Sequence, residues 1–279
     1  MLDSLYGILA AAPEGLPEAE LARRAFRLVG LPEGPALEAL GAEVARRLVV
    51  DPRFRRSPAG VWRLAVRPCR GGGPYDPAPE TPLERLSFVV VDLETTGGRT
   101  DRDRIIEVGG AKVEGGRIVG RYRQLVHPGR PIPPFVTRLT GIDDGMVEGE
   151  PPFAAVAGAV RSFVDGAVVV AHNAAVDGRF LEAELRASSG RGLERPLLCT
   201  IRMGRRLLAG QVARFDLDTV AGFYGFAFDG RHRALGDAEV TALVLIRFLA
   251  QCAEQGVRTW GALRRLTTRR ARVSGRRSP

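Results

Sequence analysis

The segment Phe88-Val89-Val90-Val91-Asp92-Leu93-Glu94-Thr95-Thr96-Gly97 joins an apolar β-branched run to two acidic residues. A short run of this kind is typical of a buried strand. Because strand side chains alternate between faces, Asp92 and Glu94 should point the same way, roughly 7 Å apart along the strand. Two carboxylates at that distance repel each other, and a divalent cation would relieve the repulsion. Ligand sets made only of oxygen favour Mg²⁺ or Mn²⁺ over zinc.

Two later segments make this weak signal specific, because each ends a predicted strand or loop and opens a predicted helix. Ala171-His172-Asn173-Ala174-Ala175-Val176-Asp177 follows an apolar run. Its asparagine stands at the expected N-cap and its final aspartate about one turn into the helix. Arg231-His232-Arg233-Ala234-Leu235-Gly236-Asp237-Ala238 opens a long apolar helix, with Asp237 in the first turn and His232 on the preceding loop.

In this order the three segments resemble the motifs of the DEDDh group of 3′→5′ exonucleases, the superfamily typified by the ε subunit of bacterial DNA polymerase III. The resemblance covers about residues 86–250. Arg104-Ile105-Ile106-Glu107-Val108-Gly109 and Leu139-Thr140-Gly141-Ile142 resemble the family's second strand and substrate-side segment. Val176 departs from the family, which usually has Phe before the third acid, and this change bears on packing or substrate fit. The resemblance implies an α/β fold of the ribonuclease H-like exonuclease type, a mixed sheet with an antiparallel start, flanked by helices.

The resemblance also implies roles for individual residues. The implied ligands of two divalent metal ions, Mg²⁺ or Mn²⁺, are Asp92, Glu94, Asp177 and Asp237. His232 would be the general base toward the attacking water. The residues implied to contact the terminal nucleotide are Leu93, Thr95 and Thr140. For Thr140 the alternative is that its side chain only braces the turn that follows it.

Three further titratable residues are kept apart from the reaction. We expect His172 to be a hydrogen-bonding residue at the end of a strand, and His127, beside Pro128, to be part of loop structure. Glu107 is left unassigned, since it could pair with an arginine or lie near the site.

Composition places the protein among globular chains, with 279 residues, 45 % apolar and 26 % charged. No apolar run has the length of a membrane span, and Asp3 interrupts the start of the chain, so we expect neither a membrane segment nor a signal peptide. Cys69, Cys199 and Cys252 are widely spaced, which predicts free thiols in a reducing compartment and supports neither disulfides nor zinc. The predicted location is the cytoplasm.

The net charge of +9 and the pI of about 10.5 favour a polyanionic partner, and nucleic acid suits the family resemblance. The basic residues are almost all arginine, a bias that genomic base composition can also produce. The end of the chain is more telling, because it is basic without one acid, and we expect it to be disordered and to contact phosphates by charge. Its arginines are Arg264, Arg265, Arg269, Arg270, Arg272, Arg276 and Arg277.

Four parts follow from these patterns: a module over residues 1–70, a Gly/Pro-rich linker over 71–83, the exonuclease domain over 84–252 and a basic tail over 253–279. We expect no packed element in the linker.

The first of these parts has three helical patterns. After them Leu48-Val49-Val50 and Val61-Trp62-Arg63-Leu64 read as a hairpin, and the unit resembles a winged helix. Its wing would carry Arg53, Arg55 and Arg56 toward a DNA backbone, unless the module docks a protein instead.

The leading hypothesis is a metal-dependent 3′→5′ exonuclease of single-stranded DNA or frayed ends, in proofreading or repair. It would release nucleoside 5′-monophosphates, either with a DNA polymerase or repair partner or alone. Trimming of RNA is a close alternative, because the same chemistry serves both. A non-catalytic adaptor that only binds nucleic acid is the rival from another class.

Overall fold

The computed structural model describes residues 5, 8–9, 12, 15–26, 28, 34–49, 54–57, 60–64 and 75–268. Within them a small N-terminal unit precedes a larger α/β unit. No helix in the described part of the chain combines the length and apolar character needed to span a membrane.

In its described residues, the N-terminal unit contains a three-stranded antiparallel sheet and two helices of at least two turns. Its elements are β1 (Leu16–Pro17), α1 (Glu18–Ala25), α2 (Pro35–Val49), β2 (Phe54–Arg56) and β3 (Val61–Leu64). Strand β3 lies in the middle and pairs with both β1 and β2. The first helical pattern of the sequence falls mostly outside the described residues. A winged-helix assignment stays a prediction.

The predicted hairpin is wrong in one strand. Leu48 and Val49 belong to the last turn of α2, and the partner of β3 is β2. The reason is periodic: Leu37, Gly41, Val44 and Leu48 are buried at spacings of four, three and four, so Leu48 completes a helical stripe. On the predicted wing, Arg56 forms an ion pair with Glu18 (2.8 Å).

The larger unit alternates strands and helices. Its strands are β4 (Phe88–Thr95), β5 (Ile105–Glu114), β6 (Arg117–Leu125), β7 (Val168–Ala171) and β8 (Leu197–Cys199). Its helices are α3 (Pro134–Thr140), α4 (Asp144–Val147), α5 (Phe153–Val164), α6 (Ala174–Ser189), α7 (Thr200–Leu207), α8 (Leu217–Tyr224), α9 (Ala234–Glu254) and α10 (Trp260–Thr268), and a 3₁₀ turn spans Leu83–Arg85.

The five strands form one mixed sheet in the order β6-β5-β4-β7-β8. The pairs β4–β5 and β5–β6 are antiparallel, whereas β4–β7 and β7–β8 are parallel. Gly115 and Gly116 make the tight turn between β5 and β6 with φ values of 55° and 74°, which glycine adopts without steric cost. The mixed sheet with an antiparallel start, flanked by helices, is confirmed.

Alternation along β4 divides the core of this unit into two layers. Val89 and Val91 pack with α5 and α6 on one face, while Phe88 and Val90 pack with α9 on the other. By the same alternation, Asp92 and Glu94 continue the face that looks toward α9. The sheet therefore aims both carboxylates at one particular helix.

Part of the predicted linker packs against part of the predicted tail. Trp260, on α10, is buried, and its indole N–H donates to Asp76 (2.8 Å). The backbone N–H groups of Trp260 and Gly261 donate to the carbonyls of Thr81 and Pro79 (2.9 and 2.7 Å). The expectation of an unpacked linker is wrong for residues 75–82, and that of disorder is wrong for 260–268. Residues 71–74 and 269–279 lie outside the described part.

Trp260→Ala should lower the free energy of unfolding by about 3–5 kcal/mol, the usual cost of truncating a buried tryptophan. The substitution removes both the packed ring and the hydrogen bond to Asp76. Phe135→Ala is the matched control, because that ring is 56 % exposed. Urea denaturation of the full chain measures both. Equal losses in the two variants would mean that α10 is not docked.

Candidate active site

Three carboxylates from two elements meet at the carboxyl end of β4. Asp92 and Glu94 come from the strand and Asp237 from the first turn of α9, and one oxygen of each lies within 4.8 Å of the others. Strand β7 pairs with β4 only up to Val90. The two strand acids therefore lie beyond the end of β7.

A glycine in β5 allows α9 to begin close to these acids. Gly109 pairs with Asp92 across the ladder. A Cβ at Gly109 would lie 2.1 Å from the carbonyl carbon of Ala234, a distance that no side chain tolerates. The start of α9 thus rests directly on the backbone of β5.

His232 lies on the loop just before α9, as predicted. Its backbone has φ of +59°, in the left-handed region that few non-glycine residues adopt. The backbone N–H of His232 approaches the carboxylate of Asp237 and opposes the rise that burial causes in the pKa of that acid. This contact places the backbone of His232 beside the acidic cluster.

Asp177 approaches from the other face of the sheet, on α6. Its buried carboxylate lies near the backbone N–H of Leu93, between the two strand acids, and this N–H lowers the pKa of Asp177. It is not one of the three acids within 4.8 Å of one another. At the predicted N-cap, Asn173 is left-handed (φ 74°) and its side chain makes no capping bond. The asparagine therefore shapes the turn instead of capping the helix.

Burial and mutual repulsion raise the pKa of the clustered acids. Burial, with Asp177 and Glu94 next in importance, raises the pKa of Asp92 well above its ordinary value. Burial and the charge of Asp237 raise the pKa of Glu94 to about 8. Burial also raises the pKa of Asp177 to about 7, although two backbone N–H groups oppose it. Each raised pKa reflects the cost of holding negative charge in this cluster without a cation.

The donor set fits a divalent metal ion. All four residues offer only carboxylate oxygens, the ligands that Mg²⁺ and Mn²⁺ prefer. Oδ1 of Asp237 is buried and has no hydrogen-bond partner, so it has an open ligand position. A cation would add positive charge among the crowded acids.

Sequence reasoning assigned no role to Arg231, which contacts the site directly. Its guanidinium donates to Asp237 and, with two nitrogens, to Asp218 (2.8 and 3.0 Å). It also lies 3.3 Å from Nδ1 of His232. Its adjacency to His232 in the sequence was the available signal.

Glu107, left unassigned from sequence, is fully buried and paired with arginines. Burial by itself raises its pKa, but hydrogen bonds from Arg233, the N–H of Ala234 and Arg123 outweigh it, so the pKa lies below its ordinary value. Its partner across the β4–β5 ladder is Glu94.

The predicted substrate contacts divide into two groups. Leu93 and Thr95 are half-buried beside the acids, where the Thr95 hydroxyl donates to the carbonyl of Gly97 (2.7 Å). Thr140 is buried: its hydroxyl donates to the carbonyl of Val136 (3.0 Å) and accepts from the N–H of Ile142 (3.1 Å). The geometry at Thr140 favours the bracing alternative over a substrate contact.

The other two histidines are engaged in structural hydrogen bonds. His172 lies 2.9 Å from the hydroxyl of Thr200 and 3.0 Å from the carbonyl of Phe215, and burial lowers its pKa to about 4. His127 accepts from the N–H of Gly129 (3.2 Å). Both agree with the roles expected from sequence.

Comparison with known proteins gives one matching family description, exonuclease (RNase_T), over residues 89–245. A Mycobacterium tuberculosis protein named as a bifunctional exonuclease/endonuclease is 40 % identical over 200 residues, which cover 69 % of this chain and 31 % of that protein. DNA polymerase III subunit epsilon of Aquifex aeolicus is 34 % identical over 181 residues, covering 64 % of this chain and 89 % of that subunit. The chain thus matches under a third of the first relative and most of the second.

A solved structure of exonuclease X in complex with 5′-overhanging duplex DNA has a similar fold. The TM-score is 0.53 with 26 % sequence identity, over 64 % of this chain and 99 % of that one. This similarity confirms the predicted ribonuclease H-like exonuclease fold.

Adding Mg²⁺ should raise the melting temperature more at pH 8 than at pH 6, because protons compete with the cation for the carboxylates. Because the pKa of Glu94 is raised in the folded protein, protonated Glu94 contributes to the stability of the metal-free protein. This contribution is fully present at pH values below 4.5, the ordinary pKa of the group. That contribution is lost as the pH rises through about 8. Differential scanning fluorimetry at both pH values measures the difference.

Glu94→Gln provides the control for this experiment, since its amide does not titrate. The variant should show a smaller Mg²⁺ effect and a weaker dependence on pH. A wild-type shift of equal size at pH 6 and pH 8 would contradict the assignment of the acids as a cation site.

Proposed function

This chain belongs to the exonuclease (RNase_T) family, and we propose that it is a metal-dependent 3′→5′ exonuclease of DNA. Its substrates are single strands or frayed 3′ ends, and its products are nucleoside 5′-monophosphates. The observation that carries the proposal is the cluster of Asp92, Glu94 and Asp237 within 4.8 Å, with the backbone N–H of His232 beside the last of them.

The four acids, Asp177 included, would hold two divalent cations, Mg²⁺ or Mn²⁺. When bound, such a pair stabilises the charge on the attacking and leaving oxygens of a phosphoryl transfer. His232 accepts a proton from the attacking water, the role that histidine takes most often in general acid–base catalysis. The water oxygen forms a bond to phosphorus while the bond to the 3′ oxygen breaks, so the released nucleotide keeps its 5′-phosphate.

Leu93 and Thr95 lie where they can contact the terminal nucleotide, since both flank the strand acids. We assign DNA as the substrate because similar proteins are a subunit of DNA polymerase III and an exonuclease solved with DNA. RNA is the alternative, and the treatment of a 2′-hydroxyl decides between them. Intact acids and histidine argue against a non-catalytic adaptor. Proofreading with a polymerase, stand-alone repair and a cytoplasmic location stay predictions.

His232→Ala should separate proton transfer from metal binding. The variant keeps all four acids, so the Mg²⁺-dependent thermal shift should persist while the rate falls roughly 10²–10⁴-fold, the usual size of a general-base effect. Asp92→Ala should lose both the Mg²⁺-dependent thermal shift and the activity. End-labelled single-stranded DNA, duplex DNA and RNA, each with Mg²⁺ or Mn²⁺, measure rate, polarity and substrate together.

Two results would contradict the assignment. Near-wild-type rates in His232→Ala would remove the proposed base. Release of nucleotides from the 5′ end would overturn the proposed polarity.

Removing residues 269–279 should weaken nucleic-acid binding about equally for all sequences. The deletion takes away five arginines whose phosphate contacts would release counterions, so the dependence of affinity on salt should flatten. Fluorescence anisotropy of a labelled oligonucleotide over a range of salt concentrations measures the slope. An unchanged slope would mean that this segment does not contact nucleic acid.

A further inference from the structure

Glu107 is a fully buried carboxylate that four N–H donors surround. Arg233 donates through Nε (3.1 Å) and Nη2 (2.8 Å), Arg123 through Nε (2.8 Å), and the backbone N–H of Ala234 completes the set (2.9 Å). Burying a charge is costly unless it is paired and hydrogen-bonded. These contacts satisfy Glu107 within the protein, so its oxygens are not free to bind a cation.

The contacts of Glu107 converge on one short segment. Arg233 directly follows His232, and Ala234 is the first residue of α9. Glu107 therefore holds the two residues after His232, one by a bidentate ion pair and the other by its backbone. A bidentate pair fixes orientation as well as distance, because both planar groups must align.

The same strand also fixes the distance between this segment and the acids. Glu107 pairs with Glu94 and Gly109 with Asp92 across the β4–β5 ladder. The carbonyl carbon of Ala234 presses against Gly109. Strand β5 thus contacts the metal-ligand candidates through its backbone and the histidine loop through Glu107.

The backbone conformation of His232 requires support from its surroundings. A non-glycine residue in the left-handed region is disfavoured by its Cβ, and such residues persist where their surroundings hold them in place. On the C-terminal side of His232, Glu107 restrains the backbone by accepting hydrogen bonds from Arg233 and Ala234. A purely stabilising ion pair would not need to end on this segment.

We infer that Glu107 is a positioning residue for the reaction, which sets the His232 ring against the acidic cluster through its bonds to Arg233 and Ala234. The inference rests on the proposed role of His232. It predicts that neutralising Glu107 displaces the histidine without removing any group that touches metal or substrate.

Glu107→Gln in the full chain tests the inference, because it keeps the size of the side chain and removes its charge. With saturating Mg²⁺ and a short single strand, kcat should fall by about 10²-fold with KM little changed, the loss that a misplaced reacting group produces. The ring signals of His232 should shift or broaden in NMR spectra of the metal-free protein. Those of His127 and His172 serve as internal references.

Matched variants separate positioning from general destabilisation. Glu239→Gln breaks the ion pair between Arg121 of β6 and Glu239 of α9, which also joins the sheet to this helix, and it should leave kcat and the His232 signals unchanged. Arg233→Gln, at a side chain 25 % exposed, breaks the bidentate pair from the other side. It carries the test if Glu107→Gln fails to fold. Its loss should match that of Glu107→Gln, and the double variant should lose little more than either single one.

Wild-type kcat in Glu107→Gln or Arg233→Gln would overturn the inference. So would a lower kcat with the His232 signals unmoved. If the wild-type protein degrades neither DNA nor RNA, the proposed function fails. The NMR signals then still decide whether Glu107 positions the histidine.

Discussion

Repulsion among carboxylates at the end of β4 is the constraint on which the rest of the structure depends. Asp92, Glu94 and Asp237 crowd within 4.8 Å, and Asp177 lies beside them near the strand backbone. Burial adds to the repulsion, because it withdraws the water that would screen the charges. The fold holds these carboxylates together against their mutual repulsion, mainly through features of the backbone.

Three features of the backbone keep the acids close together. Alternation along β4 aims two acids at α9, and the bare backbone at Gly109 lets that helix begin against the sheet. The backbone N–H of Leu93 lowers the pKa of the nearby Asp177. Arg231 supplies one compensating charge by bonding Asp237. The site is therefore assembled from both faces of one sheet, and its geometry is as rigid as the strands that carry it.

Strand β5, which pairs with the strand that carries the acids, also contacts the loop of His232 through Glu107. Glu107 pairs with Glu94 across the ladder, and burial raises the pKa of both residues. The pKa of Glu107 nevertheless lies below its ordinary value, because it receives arginine hydrogen bonds, whereas the pKa of Glu94 stays raised. One carboxyl is thereby kept charged as an anchor for the histidine loop. The other is left without a fixed cation and is available to a metal ion.

The sequence by itself determined the family, the mixed sheet with its antiparallel start and the residues of the acidic cluster, because these depend on local periodicity and on short motifs. It placed His232 on the loop before α9 and expected His172 to be hydrogen-bonded. Contacts between distant residues could not be predicted in this way. The hydrogen bond between Asp76 and Trp260 depends on a partner that local patterns do not identify. Only the tertiary structure places the start of α9 against Glu107 and Gly109. At least 125 residues separate these two from Ala234 along the chain, so only packing brings them together.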